Sequence, residues 1–211
     1  MDEFIKRSED LATVLWKTSG ARFLAAARLS RRDRLATFSI ALLSVVAVAV
    51  GLLEPHVSAA AHRIGLNTAV ISATMSVFIL AISLMEGSAQ SAVQANKLHE
   101  SGTRIAEVRR ELEDLLAHSR ETNAPNWAQY ESLRKTYETL LRECPCNHQH
   151  IDFKRFEVNH RTSAAFSDNG RPHVGWLEAQ LIKFLHLADA AWLPVASWVI
   201  VSFLILLVVA Q

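Results

Sequence analysis

Three stretches of the chain run apolar without a formal charge: Leu35–Leu53 ("LATFSIALLSVVAVAVGLL"), Ile64–Met85 and Ala190–Ala210. A hydrocarbon core about 30 Å thick needs about 20 helical residues, and each stretch is close to that length. Backbone groups in lipid must be satisfied within the segment, so each stretch reads as a membrane-spanning helix. Pro194 falls in the first turn of the third, where its missing N–H does little harm. Between the spans the apolar residues recur with a helical period. From Leu98 they fall at Ile105, Val108, Leu112 and Leu115, the seam of a coiled coil or bundle helix. "NAPNW" stops that helix. A second follows with Tyr130, Leu133, Tyr137 and Leu140 on one face, so the two pair as an αα-hairpin that buries both seams. Only Gly87 and Gly102 interrupt the chain between the second span and the first seam, which predicts one long unbroken helix. "SDNGRPHVGW" reads as turns, and a helix over about 176–187 leads to the third span. Residues 1–34 mix Phe4, Leu11, Leu15 and Trp16 with charges. That pattern suits a helix on the inner leaflet or one packed on the cytosolic helices.

The fold class expected is therefore an all-α membrane protein. A cytosolic or interfacial helix covers residues 1–34, and a transmembrane hairpin covers 35–86, with spans at 35–53 and 64–85. A coiled-coil-like cytosolic helical domain covers 87–189, and a C-terminal transmembrane helix 190–210. Basic residues give the orientation. Arg28, Arg31, Arg32 and Arg34 precede the first span; Lys97, Arg104, Arg109 and Arg110 follow the second; only Arg63 lies between. Basic residues stay on the cytoplasmic side, so the N-terminus is expected in the cytoplasm and the C-terminus outside. The small residues of "HVSAAAHR" resemble a cleavage site, but the preceding leader is long and carries Asp2, Glu3, Glu9 and Asp10, unlike a signal peptide.

Composition adds two exclusions. The net charge over 211 residues is +1, which gives no support for direct nucleic-acid binding. Two cysteines are too few for a disulfide framework. Cys144, Cys146, His148 and His150 alternate within seven positions. Zinc sites separate their ligand pairs along the chain, and four ligands from one heptapeptide would be strained, so no metal is expected. No Ser, Cys or metal set completes a His148–Asp152 pair, and no Gly-rich loop cradles phosphate. Neither enzymatic activity nor a cofactor is expected. Asn147 and Asp152 are better read as capping or turn-fixing side chains, with Phe153 and Phe156 packed beneath.

In the second span Thr68, Ser72, Ser76 and Ser83 share one arc, opposite Val77, Phe78 and Leu84. Such an arc is a small-residue packing face or, in an oligomer, a pore lining. Glu54 and Glu86 bracket the membrane and are candidates for charged rings at pore mouths.

"YETLLRE" followed by "NHQHIDFKRF" resembles the helix-to-turn junction of the SLATT family, the SMODS and SLOG-associating two-transmembrane effector domains. The matching positions are Asn147, His148, Ile151, Asp152, Phe153 and Phe156, and the likeness extends over roughly residues 20–160. Cys146 stands where relatives often carry an acid, and the third span is an addition to a two-span plan. The resemblance implies a bacterial inner-membrane effector of anti-phage defence. It implies homo-oligomers that perforate the membrane in abortive infection. It also implies a signalling partner encoded nearby: a nucleotide synthetase, a nucleotide sensor or a reverse transcriptase. A non-conducting membrane scaffold that recruits a soluble enzyme is the alternative.

Overall fold

A computed structural model describes residues 1–52, 68–168 and 170–209. Among them the chain forms α1 (Asp2–Leu52), α2 (Thr68–Ala89), α3 (Ser91–Thr122), α4 (Trp127–Glu143), α5 (His150–Asn159) and α6 (Trp176–Val209). A 3₁₀ turn over Ala164–Phe166 leads into a two-residue antiparallel ribbon, Ser167–Asp168 with Arg171–Pro172, turned at Gly170 with φ +77°. The described residues are all-α apart from that ribbon and the turns between helices.

The chain divides into two compact units. The first comprises residues 1–29 and 93–187. Its core is the pair of seams: Ile105, Val108, Leu112 and Leu115 of α3 meet Tyr130, Leu133, Tyr137 and Leu140 of α4. The N-terminal half of α1 closes the third side with Phe4 and Leu15, both essentially fully buried. Burial of side chains of this size contributes about 1.5–3 kcal/mol each. Asn123, in the left-handed region at φ 52°, ends α3, and the side chain of Asn126 accepts from the Gln129 N–H to start α4. A second cluster joins Val158 of α5 to Val174, Ala179 and Ile182.

The second unit comprises residues 30–92 and 188–211. Leu43 of α1 packs on Ile82 of α2, flanked by Ile40, Val46 and Ile79. Leu43, Met75 and Ile82 are buried with Ser39, Ser91 and Ser197, whereas Phe38, Val45, Val48, Val77, Leu80 and Leu84 are exposed. Among the described residues no helix is long and apolar enough to cross a membrane. Leu53 of the first expected span, residues 64–67 of the second and Ala210 of the third lie outside the described residues.

One expectation is corrected. The helix leaving the second span is not unbroken: α2 ends at Ala89, Gln90 takes φ 48°, and α3 starts at Ser91. A left-handed residue cannot continue the right-handed hydrogen-bond ladder, and Gln is an unusual residue there. Both glycines lie inside helices. Gly87 lies within α2 and Gly102 within α3, where a Cβ at Gly102 would stand 3.0 Å from the Phe23 ring. Gly102 admits the close approach of α1.

Candidate functional site

The 144–156 segment is organised around one carboxylate. Asp152 is the third residue of α5, and its Oδ2 accepts from the Gln149 N–H at 2.9 Å. It caps its own helix from inside the first turn, and its charge suits the helix N-terminus. Arg28 of α1 then approaches as a fork. Its Nε donates to Asp152 Oδ1 at 2.8 Å and its Nη2 to Oδ2 at 3.0 Å. A planar guanidinium matches a carboxylate in this bidentate way, and a lysine would not. Both side chains are buried, Arg28 to 4% exposure and Asp152 to 0%. His186 of α6 stands beside the pair, its Nε2 3.3 Å from Oδ1 but not aligned to donate to it. One carboxylate thus joins α1, α5 and α6.

Burial raises the Asp152 carboxyl. The His186 ring, the Arg28 hydrogen bonds and charge and the Gln149 N–H together outweigh it and hold the group below its ordinary value. A buried ion pair of this kind is a weak source of net stability, because desolvation nearly offsets the attraction. Its loss on one side only is expensive, which makes it a device for fixing a unique arrangement of helices. Its position in the chain is informative. Arg28 and His186 each lie two residues from the point where α1 and α6 pass from the first unit into the second.

The neighbouring motif residues surround this node. The Asn147 side-chain oxygen accepts from the His148 N–H at 2.9 Å, which fixes the turn. The His148 ring stacks on Phe153 at 6.5 Å. Burial lowers the His148 pKa; Asp152 opposes the shift and the Arg22 charge adds to it. Phe156 sits in an aromatic cluster with Trp16 at 5.0 Å, His160 at 4.3 Å and Phe166 at 6.0 Å. Gly20 of α1 lies directly over its ring, and a Cβ there would come within 1.9 Å of Phe156 Cε2. Arg22, also buried, donates from Nη1 to Ser101 Oγ of α3.

The cysteine–histidine alternation does not converge. The Cys144 thiol donates to the Cys146 carbonyl at 3.2 Å, and Cys146 packs on Ala25, Ala26 and Leu98. His148 turns to Phe153, and His150 is exposed. Among the described residues no three His, Cys, Asp or Glu side chains stand in metal-binding reach. An open groove of about 350 Å³ between α3 and α4 carries Lys97 and Arg104 against Glu100 and Glu143, a balance that singles out no ligand charge.

The polar arc of the second span is placed by α2. Ser76 is exposed and Ser83 half-buried, while Met75, Ile79 and Ile82 make the packing face beside them. Thr68, Ser72 and Glu86 are described by backbone alone, and Glu54 lies outside the described residues. Sequence reasoning missed Arg28, which was read only as an orientation signal, and His186. A histidine in the apolar run "LIKFLHLADAAWL" was the available sign that α6 meets a buried acid.

No curated protein and no solved structure shows significant similarity to the chain. The profile of one family, the SMODS and SLOG-associating 2TM effector domain family 5, matches residues 4–208. The match extends into α6. The chain therefore belongs to the SLATT effector family.

Proposed function

We propose that this protein is a membrane effector of a bacterial conflict system. Its second unit sits in the inner membrane, N-terminus inside and C-terminus outside, and its first unit receives a signal in the cytoplasm. Copies assemble and open a pore when the signal arrives. The observation that carries the membrane placement is the apolar surface of the second unit. A surface of Phe38, Val45, Val48, Val77, Leu80 and Leu84 is costly in water and suits lipid. The pore lining is the arc Thr68, Ser72, Ser76 and Ser83, with Glu54 and Glu86 at its mouths. A single copy has too few helices to enclose water, so conduction requires several.

Signal transfer runs through the Arg28–Asp152–His186 node. α1 and α6 each continue as one helix past it, whereas α2 and α3 are separated at Gln90. A partner that displaces α5 would move the carboxylate from Arg28 and His186 and free both helices. The partner is of the class such effectors accompany, encoded nearby and producing or sensing a nucleotide or carrying a reverse transcriptase.

The test is induced expression in bacteria with a potential-sensitive dye, together with the partner's trigger. Collapse of the potential is expected, and Ser72→Leu or Ser76→Leu should reduce it at least several-fold. An intact potential in cells that still arrest would favour the non-conducting scaffold instead.

A further inference from the structure

Arg22 of α1 is 2% exposed, and a guanidinium keeps its charge at any physiological pH. Arg28, also buried in α1, faces the Asp152 carboxylate. Arg22 faces no such partner. Among the described residues no acid stands within ion-pair distance of it and its Nε has no acceptor. Its one hydrogen bond runs from Nη1 to the neutral hydroxyl of Ser101. Burial lowers the His148 pKa, and this charge lowers it further. A buried cation without a counterion is unfavourable, and protein interiors rarely leave one so.

Ser101 carries that charge towards the surface. It lines the open groove of about 350 Å³ between α3 and α4, where it is 7% exposed and the charged lining residues Lys97, Glu100, Arg104 and Glu143 are exposed. Its oxygen accepts from Arg22, so its own proton remains to be donated. Thr103 donates to the His99 carbonyl one turn back, at 3.0 Å, but the Ser101 proton has no acceptor among the described residues. Lys97 is in no ion pair among the described residues, and Arg104 holds Glu143 through Nη1 alone, at 2.9 Å. The two acids of the groove offset its two bases, so the surplus positive charge is that of Arg22 behind Ser101. An oxygen that accepts from Ser101 stands about 5 Å from the guanidinium, across two hydrogen bonds of about 2.8 Å. At that range in a partly buried site, unlike charges attract strongly.

We propose that this groove binds a phosphate group, with Ser101 donating to it, Lys97 and the remaining N–H groups of Arg104 beside it, and Arg22 as its buried countercharge. A phosphate group brings a charge of about −1.5 to −2 at pH 7 and three acceptor oxygens, one for each of the three donor side chains. A carboxylate has fewer acceptors, and chloride fills little of the groove. The site lies within the first unit alone, so it stands or falls separately from the membrane placement and the pore.

Titration of the full-length chain, in detergent free of phospholipid, tests this with inorganic phosphate and glycerol phosphate as probes and chloride at equal ionic strength as reference. Phosphate at about five times its Kd should raise Tm by about 2–4 °C over chloride. Arg22→Met should keep the parent's Tm in chloride and lose the phosphate-dependent rise. Lys97→Gln, on the exposed lining, should fold as the parent does and bind phosphate at least fivefold more weakly, so it decides the matter even where Arg22→Met does not fold. Cys144 also lines the groove, so in a Cys146→Ser chain phosphate should slow its alkylation by neutral iodoacetamide at least threefold. Tighter binding of glycerol phosphate upholds the site for an ester-borne group, and tighter binding of inorganic phosphate upholds it for the free ion. No response to either probe overturns the site. So does a response that Lys97→Gln leaves unchanged, or binding that leaves Cys144 as reactive as before.

Discussion

Asp152 concentrates more dependence on one side chain than any other residue of the motif. Asp152→Asn keeps the shape but leaves the buried Arg28 charge without its counterion, so a loss of about 3–5 kcal/mol is expected. On a chain of this size that is a fall in Tm of roughly 10 °C, read by scanning fluorimetry in detergent. Arg28→Met with Asp152→Leu should recover most of it, short of the roughly 1 kcal/mol of the lost Gln149 cap. Failure of the double variant to exceed the single one would show that the charge pair itself stabilises the fold.

Acid acts at the same place through two groups with the same sign. The His148 pKa is lowered in the folded chain, so below about 6.5 the unfolded imidazole binds a proton that the folded one resists. Stability is full above that value and declines as the pH falls beneath it. The Asp152 pKa is also lowered from 3.8, so its contribution is present above that pH and is lost as the pH falls through the depressed folded value. Tm measured from pH 8 to 3 should therefore drop in two stages. His148→Gln should flatten the upper stage relative to the parent and spare the lower one. A parent and variant with parallel curves between pH 7 and 5 would contradict the assignment. Asp152 was legible in the sequence as a capping residue, because an acid before two aromatics at a helix start has few other uses. Its partners were not. Arg28 lies 124 residues away, and nothing local in "RLSRRDR" distinguishes the one buried arginine from its solvated neighbours.

At the scale of elements, α1 rests on the helices it crosses through residues without side chains. Gly20 lies over Phe156, whose ring is hemmed by Trp16, His160 and Phe166 and has nowhere to retreat. Gly20→Ala should lower Tm by about 2–6 °C, since overpacking of about 1–3 kcal/mol exceeds the gain in helix propensity. Gly87→Ala is the control: nothing lies within 4 Å of its Cβ, and the same propensity gain of about 1 kcal/mol should raise Tm slightly. Similar shifts in both would remove the packing role given to Gly20. The α3 and α4 seams were readable because a period of three and four is a property of one helix. The break at Gln90 was not. Gln has good helix propensity, and both glycines drew attention to the wrong positions. Gln90→Gly should be tolerated or slightly stabilising, because glycine adopts that φ freely.

At the scale of the whole chain, the two units differ in what they hide. The first packs Leu, Ile and Tyr into one large core, and the second shows phenylalanine, valine and leucine on its surface. Hydropathy along the chain foreshadowed that division, because a long uncharged run is the strongest signal a sequence carries. The central claim is that lipid surrounds the second unit. Alkaline carbonate washing of membranes from expressing cells tests it most directly, since it strips proteins held only by charge or by other proteins. The full-length chain should remain in the pellet and leave it only with detergent; a chain released into the supernatant would contradict the account.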